Sequence, residues 1–283
     1  MTPEELDWFL QFYKKHFQCQ GLDSAWKDFG IGCPTARPRL AITFDDGQLD
    51  NYLYAAPVLQ KHNLKATFFI PVAAIDNQEL LWHDKVGYSI RKLAGDNANS
   101  DLLVRLGIDS TSAMNFEATG VSLAKQWSPE ERNNWILEAE ARVSGAVPDW
   151  DGMMTWKQLQ QLSQYGHEIG SHSHTHPLLV QCDDFQLEEE IAGSRKKLEE
   201  NLGVEVTSFC YPNGDHDKRV AEAVKRAGYQ LAVTTRWGSN FPGCNGFSLN
   251  RHDMVARNSQ DRLGRLSDAR VAMRMTGFVR GVK

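Results

Sequence analysis

Short apolar runs alternate with helical patterns along most of this chain, and that alternation constrains the fold more than any other feature. An apolar run at residues 40–44 is followed by apolar side chains at helical spacing over residues 52–63, and then by a second apolar run at residues 66–70. A strand, a helix and a second strand in this order favour parallel pairing of the strands through a crossover helix. The sequence therefore predicts an α/β fold with a parallel, barrel-like sheet.

The same alternation of apolar runs and helical patterns predicts the remaining strands and helices. It predicts further strands at residues 167–171, 206–210, 230–234 and 247–251. It predicts further helices at residues 6–17, 80–93, 128–143, 155–165, 183–202 and 218–227. Ser128 followed by Pro129 is typical of a helix start, whereas Gly203 and Gly228 are typical of helix ends.

We interpret the chain as one domain with three additions, because it contains no internal repeat and no low-complexity linker. Residues 1–37 form an N-terminal helical extension. Residues 72–151 interrupt the strand pattern and are predicted to be a helical insertion over one rim of the site, with a polar stretch at residues 95–120. Residues 252–283 form a basic C-terminal tail.

Charge and composition bound the function classes. The 283 residues carry a formal net charge of -5, which gives no sign of a nucleic-acid binder. From Arg251 to Lys283, however, eight Lys or Arg face three Asp. That tail is interpreted as a solvated helix or, alternatively, as a segment attracted to an anionic membrane surface or to a phosphorylated substrate. The oligomeric state stays open.

Localisation is predicted from the absence of targeting patterns. No run approaches 18 apolar residues, so no transmembrane segment is expected. The acidic amino terminus has no basic region followed by an apolar one, so no signal peptide is expected. The five cysteines are odd in number and dispersed, which favours free thiols. The expectation is a cytoplasmic protein, or one at the inner face of the membrane.

Two groups of polar residues follow predicted strands and carry the chemistry. Asp45 and Asp46 come directly after the first strand, and His172 and His176 follow the strand at residues 167–171. Catalytic groups collect at such strand ends in α/β proteins. Two imidazoles and one carboxylate make an open, three-ligand metal site, and the second carboxylate is left to act as a base.

The donor types leave the metal open. Imidazole and carboxylate suit a divalent cation, with zinc favoured and cobalt, nickel, manganese or iron as alternatives. If Asp46 binds the ion, Asp45 stands beside the water that the ion activates, whose pKa could fall to roughly 7. The sequence thus indicates a metal-dependent hydrolase.

Three segments of the chain resemble the polysaccharide deacetylase family, the NodB-homology or carbohydrate esterase family 4 enzymes. They are Thr-Phe-Asp-Asp-Gly at residues 43–47, His-Ser-His-Thr-His-Pro at residues 172–177 and Phe-Cys-Tyr-Pro-Asn-Gly at residues 209–214. The resemblance covers roughly residues 39–251. It implies a distorted (β/α) barrel of seven strands that hydrolyses N-acetyl groups on amino sugars.

The resemblance also implies a role for each site residue. It makes Asp45 the base, and it makes Asp46, His172 and His176 the metal ligands. It gives substrate binding to the third segment, with a groove lined by Tyr211, Pro212 and Asn213 and an oxyanion held by a backbone N–H near Asn213.

The chain departs from the family pattern at two positions. In many members the third segment begins with an arginine that tethers the catalytic aspartate, but here Cys210 stands in that place. Because Leu249-Asn250-Arg251 looks like the Leu-x-Arg segment of a subgroup, we expect Arg251 to orient Asp45. The family's usual acid, a late histidine, has no clear counterpart. His252 is the first candidate and His216 the second.

These observations predict hydrolysis of an N-acetyl or N-formyl group on an amino sugar, in a polysaccharide or in its lipid-linked or nucleotide-linked precursor. Two alternatives stay open. The same site could hydrolyse a non-sugar amide or imide, or the chain could be a non-catalytic relative that binds carbohydrate. A purely structural metal domain would need a closed site with four ligands, and only three strong ligands are found.

Overall fold

The computed structural model describes residues 1–30, 32, 35–94, 100–108, 116–143 and 152–276. Its centre is a sheet of seven parallel strands in which each strand lies beside the next one along the chain. The strands are β1 Gln18–Gln20, β2 Arg39–Phe44, β3 Ala66–Ile70, β4 Glu168–Ser171, β5 Ser208–Cys210, β6 Leu231–Trp237 and β7 Leu249–Arg251. This order gives a curled, incomplete barrel with β1 and β7 at its edges, which confirms the predicted α/β fold.

Thirteen α-helices lie in the described part of the chain. They are α1 Pro3–His16, α2 Leu22–Gly30, α3 Ala56–Lys61, α4 Val72–Asn77, α5 Trp82–Leu93, α6 Ser100–Arg105, α7 Phe116–Ala124, α8 Pro129–Arg142, α9 Trp156–Gln164, α10 Asp184–Glu188, α11 Ser194–Leu202, α12 Lys218–Arg226 and α13 Asp268–Met275. Short π-helical segments at Asn51–Ala55 and Glu189–Gly193 lead into α3 and α11.

Local sequence signals explain several helix ends. The Ser128 hydroxyl accepts from the Glu131 N–H while the Glu131 carboxylate accepts from the Ser128 N–H, so α8 starts with a capping box. Gly203 ends α11 in the left-handed conformation (φ 67°), which a residue without a Cβ adopts at little cost.

The described residues form two compact units. The first comprises Met1–Gln78 and Met153–Lys283, and the second comprises Glu79–Gly152, which nearly coincides with the later part of the predicted insertion. Within the first unit, every residue of β3 is buried, and β3 pairs with β2 on one side and β4 on the other. This strand therefore forms the middle of the core on which the site is built.

The second unit has its own hydrophobic core, formed by α5, α6, α7 and α8. Trp135 is 1% exposed there, and its indole N–H donates to the Leu102 carbonyl at 3.1 Å. The polar stretch predicted at residues 95–120 contains α6 and the start of α7, while residues 95–99 and 109–115 lie outside the described residues.

Four of the five cysteines and part of the basic tail lie among the described residues. Cys19, Cys182, Cys210 and Cys244 are free thiols, and Cys33 lies outside the described residues. Of the basic tail, residues 268–275 form α13, while residues 277–283 lie outside the described residues. Within the described ranges, the helices are too short or too polar to cross a lipid bilayer.

Candidate functional site

The predicted site residues meet at the carboxyl edge of the sheet. Asp45 and Asp46 follow β2, the segment from His172 to His176 follows β4, and Arg251 ends β7. Because all neighbouring strands are parallel, their carboxyl ends lie at the same edge. This topology brings together residues that are more than 200 positions apart in the sequence.

Asp46, His172 and His176 form a compact group of three donor atoms. Asp46 Oδ1 lies 3.4 Å from His172 Nε2 and 3.5 Å from His176 Nε2. Two donors bound to one zinc ion at about 2.0–2.1 Å in a tetrahedral arrangement are about 3.3–3.4 Å apart. The spacing of the three atoms therefore fits a single cation, and both imidazoles are only 3% exposed.

A hydrogen bond sets the orientation of the first imidazole. His172 Nδ1 lies 2.7 Å from the Cys210 carbonyl oxygen, so the Nδ1–H donates there and Nε2 is turned toward Asp46. Burial of this imidazole lowers its pKa, but Cys210, Asp46 and Asp45 together raise the pKa of His172 well above the ordinary value. A cation bound by this imidazole would therefore have to displace a proton.

The backbone around the donors is unusual. Asp46, Ser173 and His176 all adopt left-handed conformations, with φ of 71°, 67° and 59°. Non-glycine residues rarely do so, and such residues persist where their surroundings hold them. Gly47 is left-handed as well (φ 65°), and a Cβ there would come within 3.4 Å of Ile70 and Ile75.

Arg251 binds both oxygens of the Asp45 carboxylate. Its Nη1 and Nη2 donate to Asp45 Oδ1 and Oδ2, both at 2.7 Å, in a bidentate pair. The Nε–H donates to the Thr234 carbonyl at 2.8 Å, which fixes the plane of the guanidinium. Burial lowers the pKa of Arg251, but Cys210 and Asp45 raise it overall, so the guanidinium stays charged. The structure thus places Arg251 beside Asp45, as the sequence predicted.

Cys210, the last residue of β5, lies against the Asp45–Arg251 pair. Its buried thiol lies 3.3 Å from Arg251 Nη2 and 3.7 Å from Asp45 Oδ2. Asp45, His172 and Cys210 also form a second group with metal-ligand spacing. Burial raises the pKa of the Cys210 thiol, and Arg251 already binds both carboxylate oxygens of Asp45. The group of Asp46, His172 and His176 is therefore the better metal site.

The two histidines predicted as acids lie elsewhere. The His252 ring packs edge-on against Trp237 at 4.7 Å, and its Nε2 lies 3.0 Å from the Ser239 hydroxyl. The His216 ring stacks on Tyr211 at 4.4 Å. Arg251 donates to Asp45, whereas the hydrogen bond and the ring contact of His252 go to Ser239 and Trp237. Within the described residues, neither histidine contacts the donor group.

The third predicted segment is mostly buried. Tyr211 is 0% exposed, and its hydroxyl donates to the Phe247 carbonyl at 3.0 Å, so its ring offers no face to a sugar. The expectation that this side chain binds substrate is therefore corrected by its burial. Pro212 is buried too, and Asn213 alone of the three is partly exposed, with a left-handed backbone (φ 57°).

A cavity of about 1510 Å³ lies in the first unit, beside the Asp45–Arg251 pair. It is lined by aromatic side chains of α1, by β2 and by α13. Asp46, His172 and His176 do not line it, so this cavity is distinct from the group of metal-ligand donors.

Sequence reasoning missed one buried acid near the ligands. Glu190, in the π-helical segment before α11, is 8% exposed and accepts hydrogen bonds from the backbone of the segment between His172 and His176. Nothing in a charged helical sequence distinguishes this glutamate from Glu188 or Glu189, which are exposed.

The fold and site define an open, all-parallel α/β barrel with an Asp-His-His donor group and an arginine-held aspartate at its carboxyl edge. The polysaccharide deacetylase family matches residues 33–232, more than half of the chain, and the chain belongs to that family.

Named relatives agree with this assignment. YxkH of Bacillus subtilis (strain 168), which carries a polysaccharide deacetylase name, is 23% identical over 198 residues, covering 70% of this chain and 45% of that protein. The chain thus spans less than half the length of this relative.

Solved structures share the fold. The Streptococcus pyogenes deacetylase PplD, in complex with acetate, aligns with a TM-score of 0.64 at 18% identity over 96% of this chain and 86% of that one. IcaB from Ammonifex degensii aligns with a TM-score of 0.57 at 18% identity over 89% of this chain and 83% of that one.

Proposed function

We propose that this chain is a metal-dependent hydrolase that removes an N-acetyl or N-formyl group from an amino sugar. The sugar would belong to a polysaccharide or to its lipid-linked or nucleotide-linked precursor. Family membership supports the reaction class. The observation that carries the proposal is the Asp46, His172 and His176 donor group beside a carboxylate that Arg251 holds at both oxygens.

Asp46, His172 and His176 would hold the cation, and zinc suits their donor set and spacing. A bound divalent cation supplies Lewis acidity, which polarises an amide carbonyl and lets a water molecule lose its proton near neutral pH. The remaining chemistry belongs to side chains of the chain itself.

Asp45 serves as the general base. It accepts a proton from the attacking water as the new C–O bond forms at the acyl carbon, and Arg251 keeps the carboxylate oriented for that transfer. Such proton transfer contributes on the order of 10² to 10⁴ in rate. We propose that a backbone N–H near Asn213, the partly exposed residue of its segment, donates a hydrogen bond to the developing oxyanion.

The leaving amine needs a proton as the C–N bond breaks. His252 and His216 are engaged with other partners, so we assign this step to the carboxyl proton that Asp45 has just accepted. The proton of the water thus ends on the amine, and the acyl group leaves as the carboxylic acid. One residue then acts first as base and afterwards as acid.

Metal analysis and turnover test the proposal together. We expect about one zinc-like ion per wild-type chain, loss of that ion in His176→Ala, and retention of the ion without turnover in Asp45→Asn. Acetate or formate release would be measured on N-acylated amino-sugar oligomers and on small non-sugar amides and imides.

Each outcome separates the alternatives. Turnover of the small amides alone would replace the sugar substrate, and metal binding with sugar binding but no turnover on any substrate would indicate a carbohydrate-binding protein. A wild-type chain without metal after incubation with zinc would remove the mechanism, and a fully active Asp45→Asn would remove the base.

A further inference from the structure

The segment that carries both histidine ligands is held by contacts outside the donor group. Ser173 and His176 have left-handed backbones, a conformation that their side chains disfavour. The ligand-bearing segment, residues 172–176, therefore needs neighbours that fix its shape. Its hydrogen-bond partners identify those neighbours.

One helix supplies most of the support. Glu190 Oε2 accepts from the N–H groups of His174 and Thr175, both at 2.8 Å, and Glu190 Oε1 accepts from the Thr175 hydroxyl at 2.5 Å. Within the described residues, the three hydrogen bonds that reach this carboxylate all come from the ligand-bearing segment. A buried carboxylate binds N–H donors more strongly than a neutral acceptor does.

The same helix reaches the segment a second time. Ser194, four residues after Glu190, lies with its hydroxyl 2.8 Å from that of Ser171, and the Ser171 hydroxyl accepts from the Ser173 N–H at 3.2 Å. The Ser173 hydroxyl in turn accepts from the His176 N–H at 3.0 Å. A chain of hydrogen bonds thus runs from the helix to the second histidine ligand.

The opposite side of the segment is bound by α4. The first N–H groups of that helix, from Val72 and Ala73, donate to the carbonyls of Ser173 and His174 at 3.3 and 2.8 Å. The segment is therefore clamped, with its carbonyls held by a helix amino terminus and its N–H groups held by Glu190. Removing Glu190 would leave the N–H groups of His174 and Thr175 without their acceptor.

We infer that Glu190 is a positioning residue for the metal site, acting through the backbone of residues 174–175 to set the separation of His172 and His176. Within the described part of the chain, its hydrogen bonds reach residues 174 and 175 and neither imidazole. The inference rests on the proposed metal site and adds a residue that the three metal ligands alone do not reveal. Outer-shell partners of metal ligands typically contribute roughly 10- to 100-fold to metal affinity.

Zinc affinity, measured by competition with a chromogenic chelator, tests this role without any substrate. Glu190→Ala should bind zinc roughly 10- to 100-fold more weakly than wild type. Glu190→Gln should recover part of the loss, because an amide oxygen can still accept from both backbone N–H groups. Glu189→Ala, which removes an exposed glutamate from the same helix, is the matched control and should leave the affinity unchanged.

A merely structural role would give another pattern. It would lower the thermal stability of the metal-free chain without changing the zinc affinity of the folded protein. Glu190→Ala with wild-type zinc affinity would therefore overturn the inference while leaving the proposed function intact. A wild-type chain that binds no zinc would overturn both.

Two further variants test the inference if Glu190→Ala does not fold. If circular dichroism shows that Glu190→Ala is unfolded, Glu190→Gln and Thr175→Val carry the test. Thr175→Val removes only the hydroxyl hydrogen bond to Glu190 Oε1 and should weaken zinc binding less than Glu190→Ala. Wild-type affinity in both of these variants would contradict the inference.

Discussion

The carboxylate of Asp45 is bound by a single guanidinium, that of Arg251 at the end of the edge strand β7. Arg251 meets both carboxylate oxygens at 2.7 Å, and the Cys210 thiol packs against the same pair. Lysine cannot reproduce this planar, two-point contact, because its ammonium is a point charge. The two residues should behave as one unit.

We predict that Arg251→Lys lowers kcat about 10- to 100-fold and that Arg251→Ala lowers it more, because both lose the two-point contact that orients the base, and general-base catalysis contributes about 10² to 10⁴ in rate. Metal content should stay at the wild-type level, since the side chain of Arg251 donates to Asp45 and to the Thr234 carbonyl, neither of which is a proposed metal ligand. Arg257→Lys, at an exposed position, is the control. Full turnover in Arg251→Ala would show that Asp45 needs no tether.

A second residue-scale prediction concerns His167, which is 4% exposed at the start of β4. Burial, and then the charge of Lys65, lowers its pKa to about 4. The unfolded imidazole titrates near about 6.5. The unfolded chain therefore binds more protons between these values, and stability falls as pH drops from about 6.5 toward 4.

We expect His167→Gln to flatten this dependence, because glutamine does not titrate and can still accept from the Ala66 N–H. The slopes of unfolding free energy against pH should differ by up to about 1.4 kcal/mol per pH unit within the window. Urea unfolding of the metal-free proteins at several pH values measures it. Parallel slopes would show that folding does not lower the pKa of His167.

At the scale of elements, α13 packs back onto the end of β6. Arg274 is 5% exposed, lies 4.7 Å over the Trp237 ring and donates to the Asp253 carbonyl at 3.1 Å. Val271, one turn earlier, is fully buried. This part of the basic tail is therefore fastened to the fold, and Arg274 is not available to an anionic surface.

We predict that Arg274→Ala destabilises the protein by about 1–3 kcal/mol, because it removes a buried hydrogen bond and a desolvated cation–π contact. Arg270→Ala, on the same helix but exposed, should change stability by less than about 0.5 kcal/mol. Denaturant unfolding followed by tryptophan fluorescence compares them. Equal effects of the two substitutions would show that the Trp237 contact contributes nothing.

Sequence patterns located most of the sheet but missed its edge. The runs that became β2, β3 and β6 are rich in apolar residues, whereas β1 is the three-residue segment Gln-Cys-Gln, whose partial burial leaves no periodic signal. The short helix α4 was missed because it follows a strand after a single residue, Pro71. The last strand begins at Leu249, two residues later than its apolar run predicts.

The donor residues were predictable from their motifs, but side-chain direction was not. The burial of Tyr211 depends on how β5, β6 and β7 pack, which no local pattern encodes. Glu190 was missed for the same reason. Its role follows from which side of the helix faces residues 172–176.

At the scale of the whole molecule, the described residues form two compact units, and the second, Glu79–Gly152, falls largely within the insertion that the sequence predicted at residues 72–151. The two ends of the first unit that flank Glu79–Gly152 are joined locally. The Gln78 side-chain amide donates to the Met154 carbonyl at 2.9 Å, and the Met154 N–H donates to the Gly47 carbonyl at 3.0 Å. A short connection could therefore link residues 78 and 153.

We predict that replacing residues 79–152 with a short glycine-serine linker leaves a chain that folds and binds about one zinc ion, because all predicted metal ligands lie in the first unit. Circular dichroism and zinc titration measure both properties. An unfolded product would show that the first unit does not fold without the second. That result is the one that the prediction of a single domain implies.

The left-handed residues of the site carry a consequence for engineering. Asp46, Ser173, His176 and Asn213 occupy backbone positions where glycine would fold with less strain. Selection or design guided by thermal stability alone is therefore expected to place glycine at these four positions. Two of those replacements, at residues 46 and 176, would delete a donor atom from the Asp-His-His group. Glycine at residues 46 and 176 would thus relieve backbone strain and at the same time remove a proposed cation ligand. Variant libraries built on this chain should keep all four positions unchanged.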